Sequence, residues 1–82
     1  MNLELNYFAS YNGWDVVDET GADVENDNLL EDLAEFSYEL CDEDGVFEHD
    51  EFTSEQLNEI RTIVNSYFEN PVYKIRIDFR FS

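Results

Sequence analysis

From Asp15 to Glu59 the chain contains no Lys and no Arg, although that stretch carries 18 Asp and Glu. Over all 82 residues there are 4 Lys+Arg against 21 Asp+Glu, a formal net charge of −17. So little positive charge argues against direct binding of nucleic acid or anionic membranes, because phosphates and lipid headgroups are repelled. Cations and basic protein surfaces are attracted instead. Cys41 stands alone, so no internal disulfide can form and a reducing compartment is expected. No apolar run approaches the length of a membrane span. Met1-Asn2-Leu3-Glu4 lacks the basic and apolar regions of a signal peptide, and the expectation is a soluble, cytoplasmic protein. There is no glycine-rich phosphate loop, no Gly-x-Ser-x-Gly and no Cys-x-x-Cys. A glycosidase carboxylate pair needs a cleft that a small two-layer domain hardly provides. Neither an enzyme nor a cofactor is expected.

Aromatic and apolar residues are present in quantity. Hydrophobic residues make up 43% of the chain and aromatics 16%, more than disordered acidic tails carry. The length fits one domain, residues 1–82, with a single thin core. Its self-repulsion costs stability that salt partly restores.

Residues 2–11 alternate, with Leu3, Leu5, Tyr7, Ala9 and Tyr11 on one side, which predicts a half-buried strand. Asn12-Gly13 signals a hairpin turn into a short strand over Trp14–Val17. Residues 18–27 read as an acidic loop. A first helix is expected from Asn28 to Cys41, capped by Asn28 with Glu31 returning the bond. Its apolar stripe would be Leu29, Leu33, Phe36 and Leu40, opposite an acidic arc of Glu31, Asp32, Glu35, Glu39 and Asp42. In the second helix Thr53 and Gln56 form a capping box, and Phe52 with Leu57 has the spacing of a hydrophobic staple. Leu57, Ile60, Ile63, Val64, Tyr67 and Phe68 supply its buried face, and Asn70-Pro71 ends it. Residues 72–81 alternate again, with Lys74, Arg76 and Arg80 on one face, where pairing with Glu4 or discouragement of edge pairing explains them. The expected fold class is α+β: a small antiparallel β-sheet, from the N-terminal hairpin and the C-terminal strand, packed on one face by two α-helices.

Asp42-Glu43-Asp44-Gly45-Val46-Phe47-Glu48-His49-Asp50-Glu51-Phe52 resembles the second half of an EF-hand calcium loop. In that frame Asp42, Asp44, Glu48 and Glu51 would be calcium ligands. Leu40, a member of the apolar stripe, stands where the first ligand belongs. The alternative is an acidic turn between helices. His49 reads as a surface histidine among carboxylates.

The other candidate site is the acidic surface itself. Glu31, Glu35 and Glu39 step by about 6 Å along a helix, and duplex DNA carries a charge about every 3.4 Å per strand. Small, very acidic, aromatic-rich domains resemble the DNA-mimic proteins of phages and mobile elements. That class includes anti-restriction and anti-CRISPR proteins, inhibitors of uracil-DNA glycosylase and antagonists of histone-like proteins. The resemblance rests on size and on the charge of residues 15–59, with no motif to carry. It implies an inhibitor that occupies the basic nucleic-acid site of a nuclease, CRISPR effector, restriction enzyme or histone-like protein, in the host cytoplasm if phage-encoded. The main row would be Glu31, Asp32, Glu35, Glu39 and Asp42. Asp44, Glu48, Asp50 and Glu51 would extend it through one loop, and Asp15, Asp18, Glu19, Asp23 and Glu25 through the other. Trp14, Phe47 or Tyr38 would anchor the interface. An immunity protein for a basic nuclease toxin has the same signature, and a homodimer is left open.

Overall fold

The computed structural model describes residues 2–69 and 71–79. Its elements are β1 (Asn2–Phe8), β2 (Gly13–Asp18), α1 (Asp27–Tyr38), α2 (Ser54–Asn65) and β3 (Val72–Asp78). The α+β class is as expected. Arg80 and Phe81, assigned by alternation to the last strand, and Asn70 lie outside the described residues.

The three strands form one sheet in the order β2-β1-β3. β1 and β2 are the antiparallel hairpin, with Leu5 opposite Val16. β3 runs parallel to β1, with Leu5 opposite Ile75. The sheet is therefore mixed, which corrects the expected antiparallel arrangement. The reason lies in the connection. The chain leaves the sheet at Asp18, opposite Leu3, and re-enters at Val72, opposite Asn2. One helix carries it away from that end and the other brings it back, so β3 starts where β1 starts.

Leu3, Leu5, Tyr7, Ala9 and Val16 are buried on the helix-covered face, against Leu29 and Leu33 of α1 and Ile60 and Val64 of α2. The opposite face carries Glu4, Asn6, Asp15, Lys74 and Arg76. There Arg76 reaches Glu4 at 3.5 Å, the cross-sheet pairing expected for the C-terminal bases. At the hairpin end Tyr7, Trp14, Phe47 and Phe52 cluster, with Tyr7 edge-on to Phe47 at 5.3 Å and Trp14 stacked on Phe52 at 5.9 Å.

α1 starts earlier than the spacing suggests, and its cap is Asn26, not Asn28. The Asn26 side chain accepts the Leu29 N–H at 3.1 Å. Val24, bonded through its N–H to Val16 at 2.8 Å, fixes the entering chain so that residue 26 is the extended one. The helix stops at Tyr38, because the Leu40 and Cys41 N–H groups bond tightly back to Ser37 and Tyr38. α2 has its Thr53–Gln56 capping box, but the staple is absent from the core: Phe52 turns into the aromatic cluster while Leu57 is 41% exposed. α2 also ends at Asn65, before Asn70-Pro71.

The buried line of α1 is Leu29, Leu33 and Ser37, with Phe36 and Leu40 only half-buried. A serine is favourable there because it meets a polar network. Its hydroxyl donates to Asn12 Oδ1 at 2.5 Å and accepts from Trp14 Nε1 at 2.9 Å. Asn12 Oδ1 also accepts from the Tyr7 hydroxyl at 2.9 Å, and its amide donates to the Ala34 carbonyl at 3.1 Å. Asn12 has φ of 52°, the left-handed conformation its hairpin position requires. Among the described residues no buried side-chain polar atom lacks a partner.

Asn12→Gly keeps this backbone conformation available but deletes the amide. With Tyr7, Ser37 and Ala34 left short of a partner, the expected loss is about 2–3 kcal/mol in a urea titration. Burial, ahead of the contact with Cys41, raises the Tyr7 pKa well above its ordinary value. Its stabilisation is therefore complete below pH 10, the ordinary tyrosine value, and is lost as pH climbs beyond it. Tyr7→Phe should shrink the alkaline decline in stability measured by circular dichroism.

Candidate acidic binding surface

The carboxylates form three groups. Along α1, Asp27, Glu31, Glu35 and Glu39 all project into solvent at intervals of four residues, a single stripe about 18 Å long at 1.5 Å rise per residue. Asp27 extends the expected row by one helical turn. Between α1 and α2 a groove of about 480 Å³ has Asp32, Glu35, Glu39 and Glu59 around Phe36 and Ile63. Glu59, on α2, joins the row only because the two helices pack side by side, which no local pattern of the second helix signals. At the N-terminal end of α1, Asp15, Asp23, Glu25 and Asp27 surround Val24 and Leu30.

Three of the expected row members have internal duties. Asp32 accepts the Tyr67 hydroxyl at 2.5 Å, tying the end of α2 to α1 and raising the Tyr67 pKa, chiefly through that bond. Asp18 and Asp42 close two turns of the same design. Asp18 Oδ1 accepts the Thr20 and Ala22 N–H groups at 2.9 and 3.1 Å; Asp42 Oδ1 accepts those of Asp44 and Val46 at 2.9 and 3.0 Å. In each turn the Asp N–H bonds the carbonyl four residues on, and a glycine with positive φ, Gly21 at 85° or Gly45 at 78°, completes the reversal. The signal was legible: Asp-Glu-Thr-Gly-Ala and Asp-Glu-Asp-Gly-Val are two copies of one pattern. Backbone hydrogen bonding lowers the pKa of both aspartates; for Asp18 the Thr20 hydroxyl contributes most, for Asp42 the Val46 N–H.

The second turn decides how the inter-helix loop is used. Cys41 and Phe47 form an antiparallel bridge, and the Phe47 N–H bonds the Ala9 carbonyl at 3.0 Å, pulling the ring into the core. Asp42 directs Oδ1 to its own backbone. Glu48 lies beside it, and the hydrogen bond between the two carboxyls, followed by their repulsion, raises the Glu48 pKa. Asp44 and Glu51 complete no site with them: among the described residues no three Asp, Glu, His or Cys side chains gather as metal ligands. Asp44, Glu48, Asp50 and Glu51 are exposed, as are Glu19, Asp23 and Glu25, while Asp15 is half-buried.

Of the expected aromatic anchors only Tyr38 is available, at 65% exposed. Phe47 is buried, and Trp14 is held by Ser37 and Phe52. Tyr11, also 65% exposed, stacks on Phe8 across the open sheet face. Among the described residues no helix is long and apolar enough to cross a membrane.

Asp42→Asn keeps the turn's acceptor but removes the charge that the Val46 and Asp44 N–H groups favour, so its loss of stability should be smaller than that of Asp42→Ala, which removes charge and acceptor together. Acidification acts in two steps. As pH falls from 7, Glu48 takes its proton early and its repulsion is relieved. Further acid protonates Asp42 and Asp18, whose stabilisation, complete above their ordinary values, is then lost. Thermal melting should peak at mildly acid pH, and the acid-side gain should fade in high salt. No protein-family profile, curated protein or solved structure matches this chain.

Proposed function

We propose that this protein is a non-enzymatic inhibitor that presents a DNA-like row of carboxylates to the basic nucleic-acid site of another protein. The observation that carries the reading is the stripe Asp27-Glu31-Glu35-Glu39, four exposed carboxylates one helical turn apart on a helix with no base. Helix physics opposes this pattern. Like charges four residues apart repel, and Glu39 sits at the carbonyl end of α1, where the macrodipole favours cations by about 0.3–1 kcal/mol. The dipole favours Asp27 in the first turn, but carboxylates kept against their mutual repulsion, and at Glu39 against the dipole as well, are better explained by a partner than by solubility. The described bases, Arg61, Lys74 and Arg76, lie on α2 and β3 and leave α1 uncompensated.

At about 6 Å per charge the stripe alone is sparser than one DNA strand along its axis. Glu59 across the groove, Asp32 on the groove side of α1, and Asp15, Asp23 and Glu25 beyond the first turn raise the density towards it. The partner is a nuclease, CRISPR effector, restriction enzyme or histone-like protein. Its Lys and Arg would engage the stripe, with Tyr38 as the aromatic contact beside Glu35 and Glu39.

Host DNA-binding proteins passed over the immobilised protein should elute with rising salt and be displaced by duplex DNA. Asp27→Asn/Glu31→Gln/Glu35→Gln/Glu39→Gln should weaken capture at least about tenfold while leaving the melting temperature equal or higher. Capture that ignores salt, or DNA bound together with the protein, would overturn the reading. Retention of a single nuclease without displacement by DNA would indicate an immunity protein.

A further inference from the structure

The sheet has two edges, β2 and β3, and among the described residues only β2 is met by another segment. Along β2 the following loop returns: Val24 N–H bonds Val16, Asp18 N–H bonds Ala22, and Val17 pairs with Asp23. Among the described residues β3 has no such cover. The Ala9 N–H bonds the Asp78 carbonyl at 3.0 Å, so strand alternation turns the backbone groups of Val72, Lys74, Arg76 and Asp78 towards β1. Those of Tyr73, Ile75 and Ile77 point outward, and among the described residues no backbone group meets them.

The side chains beside this edge are also unfinished. Tyr73, Ile75 and Ile77 are only half-buried, whereas their neighbours Leu3, Leu5 and Tyr7 are 4%, 0% and 0% exposed. Val72, Phe79 and Leu57, three of the five exposed large hydrophobics among the described residues, lie around it. Between α2 and β3 an open groove of about 710 Å³ takes in Leu57, Arg61, Tyr73 and Ile75.

We propose that β3 is a self-association edge: two copies pair their β3 strands antiparallel, about a two-fold axis at Arg76, to make one six-stranded sheet. The choice of a second copy rests on charge. Elsewhere this molecule repels its own kind, but its bases Arg61, Lys74, Arg76 and, by sequence, Arg80 all belong to α2, β3 and the segment after it. With the axis at Arg76, Lys74 faces Asp78 of the second copy twice, at the close-approach positions of an antiparallel pair. The two Arg76 side chains meet at the axis, each engaged by its own Glu4. On the covered face Ile75 meets Ile77 and Tyr73 meets Phe79, completing the row that one chain leaves half-buried. An axis at Ile75 would instead oppose Lys74 to Arg76 twice. The inference stands independently of the proposed function, and the acidic stripe is remote from the contact.

Net charge gives the two associations opposite responses to salt. Joining two copies of charge −17 is opposed by long-range repulsion that salt screens. Self-association should thus tighten between about 0.05 M and 0.5 M NaCl, where capture of a basic partner weakens. Sedimentation equilibrium from micromolar to millimolar protein should move from a mass of 9.7 kDa towards twice that value. Hydrogen exchange at Tyr73, Ile75 and Ile77 should slow with concentration, while Lys74 and Arg76 amides stay protected throughout. Lys74→Gln, an exposed substitution that removes the charge facing Asp78 of the second copy without setting a carboxylate against Glu4 in its own sheet, should raise the dimer dissociation constant about tenfold over the two pairs, with the melting temperature of dilute protein little changed. A monomer at millimolar concentration in high salt, or a dimer whose Ile75 and Ile77 amides exchange freely, would overturn the proposal. Either result leaves the partner-capture experiment untouched.

Discussion

One amide holds the architecture together. Asn12 stands at the hairpin tip, where the backbone must turn left-handed, and its side chain meets Tyr7, Ser37 and Ala34 at once. Of those three bonds, the ones to Ser37 and Ala34 tie the end of the hairpin to the last turns of α1, and the one to Tyr7 anchors the tip to β1. Trp14 adds a fourth link through Ser37. The direction of α1 across the sheet is set by this junction, and so is the outward aim of Asp27, Glu31, Glu35 and Glu39. A buried polar network constrains geometry more than apolar contact does, since a misplaced partner leaves an unsatisfied group in a low-dielectric interior.

The carboxylates divide into two kinds. Asp18, Asp42 and Asp32 accept hydrogen bonds from the protein's own backbone or from Tyr67 and help to build the fold. Among the described residues the stripe on α1 makes no side-chain hydrogen bond or ion pair; repulsion opposes it along its length, and the helix dipole, which favours Asp27 in the first turn, opposes it at Glu39. Fold-building acids lie at turns and helix contacts; the others lie on one outward line. A count of charges alone cannot draw that division.

Much of this was legible in the residues. Alternation located β1 and β3, Asn12-Gly13 located the hairpin, and the Thr53–Gln56 box located the start of α2. The cap of α1 was misplaced by two residues because Asn26 and Asn28 are equally good caps in isolation; the Val24–Val16 bond selects between them. The sequence suggests Phe47 as a surface anchor, because a short acidic loop seldom delivers a ring to the core. Here the Cys41–Phe47 bridge and the bond to Ala9 do so.

By itself the sequence determined the α+β class, the amphipathic split of α1 and the separation of acids from bases, because each follows from local period and composition. Only the tertiary structure decided that β3 lies parallel beside β1, that among the described residues β2 is met by a returning loop while β3 is not, and that Glu59 joins the acidic groove. Those outcomes depend on where two helices return the chain and on which backbone groups then find partners. Such choices are made between residues up to 70 positions apart, as with Asn2 beside Val72, and no local pattern encodes them.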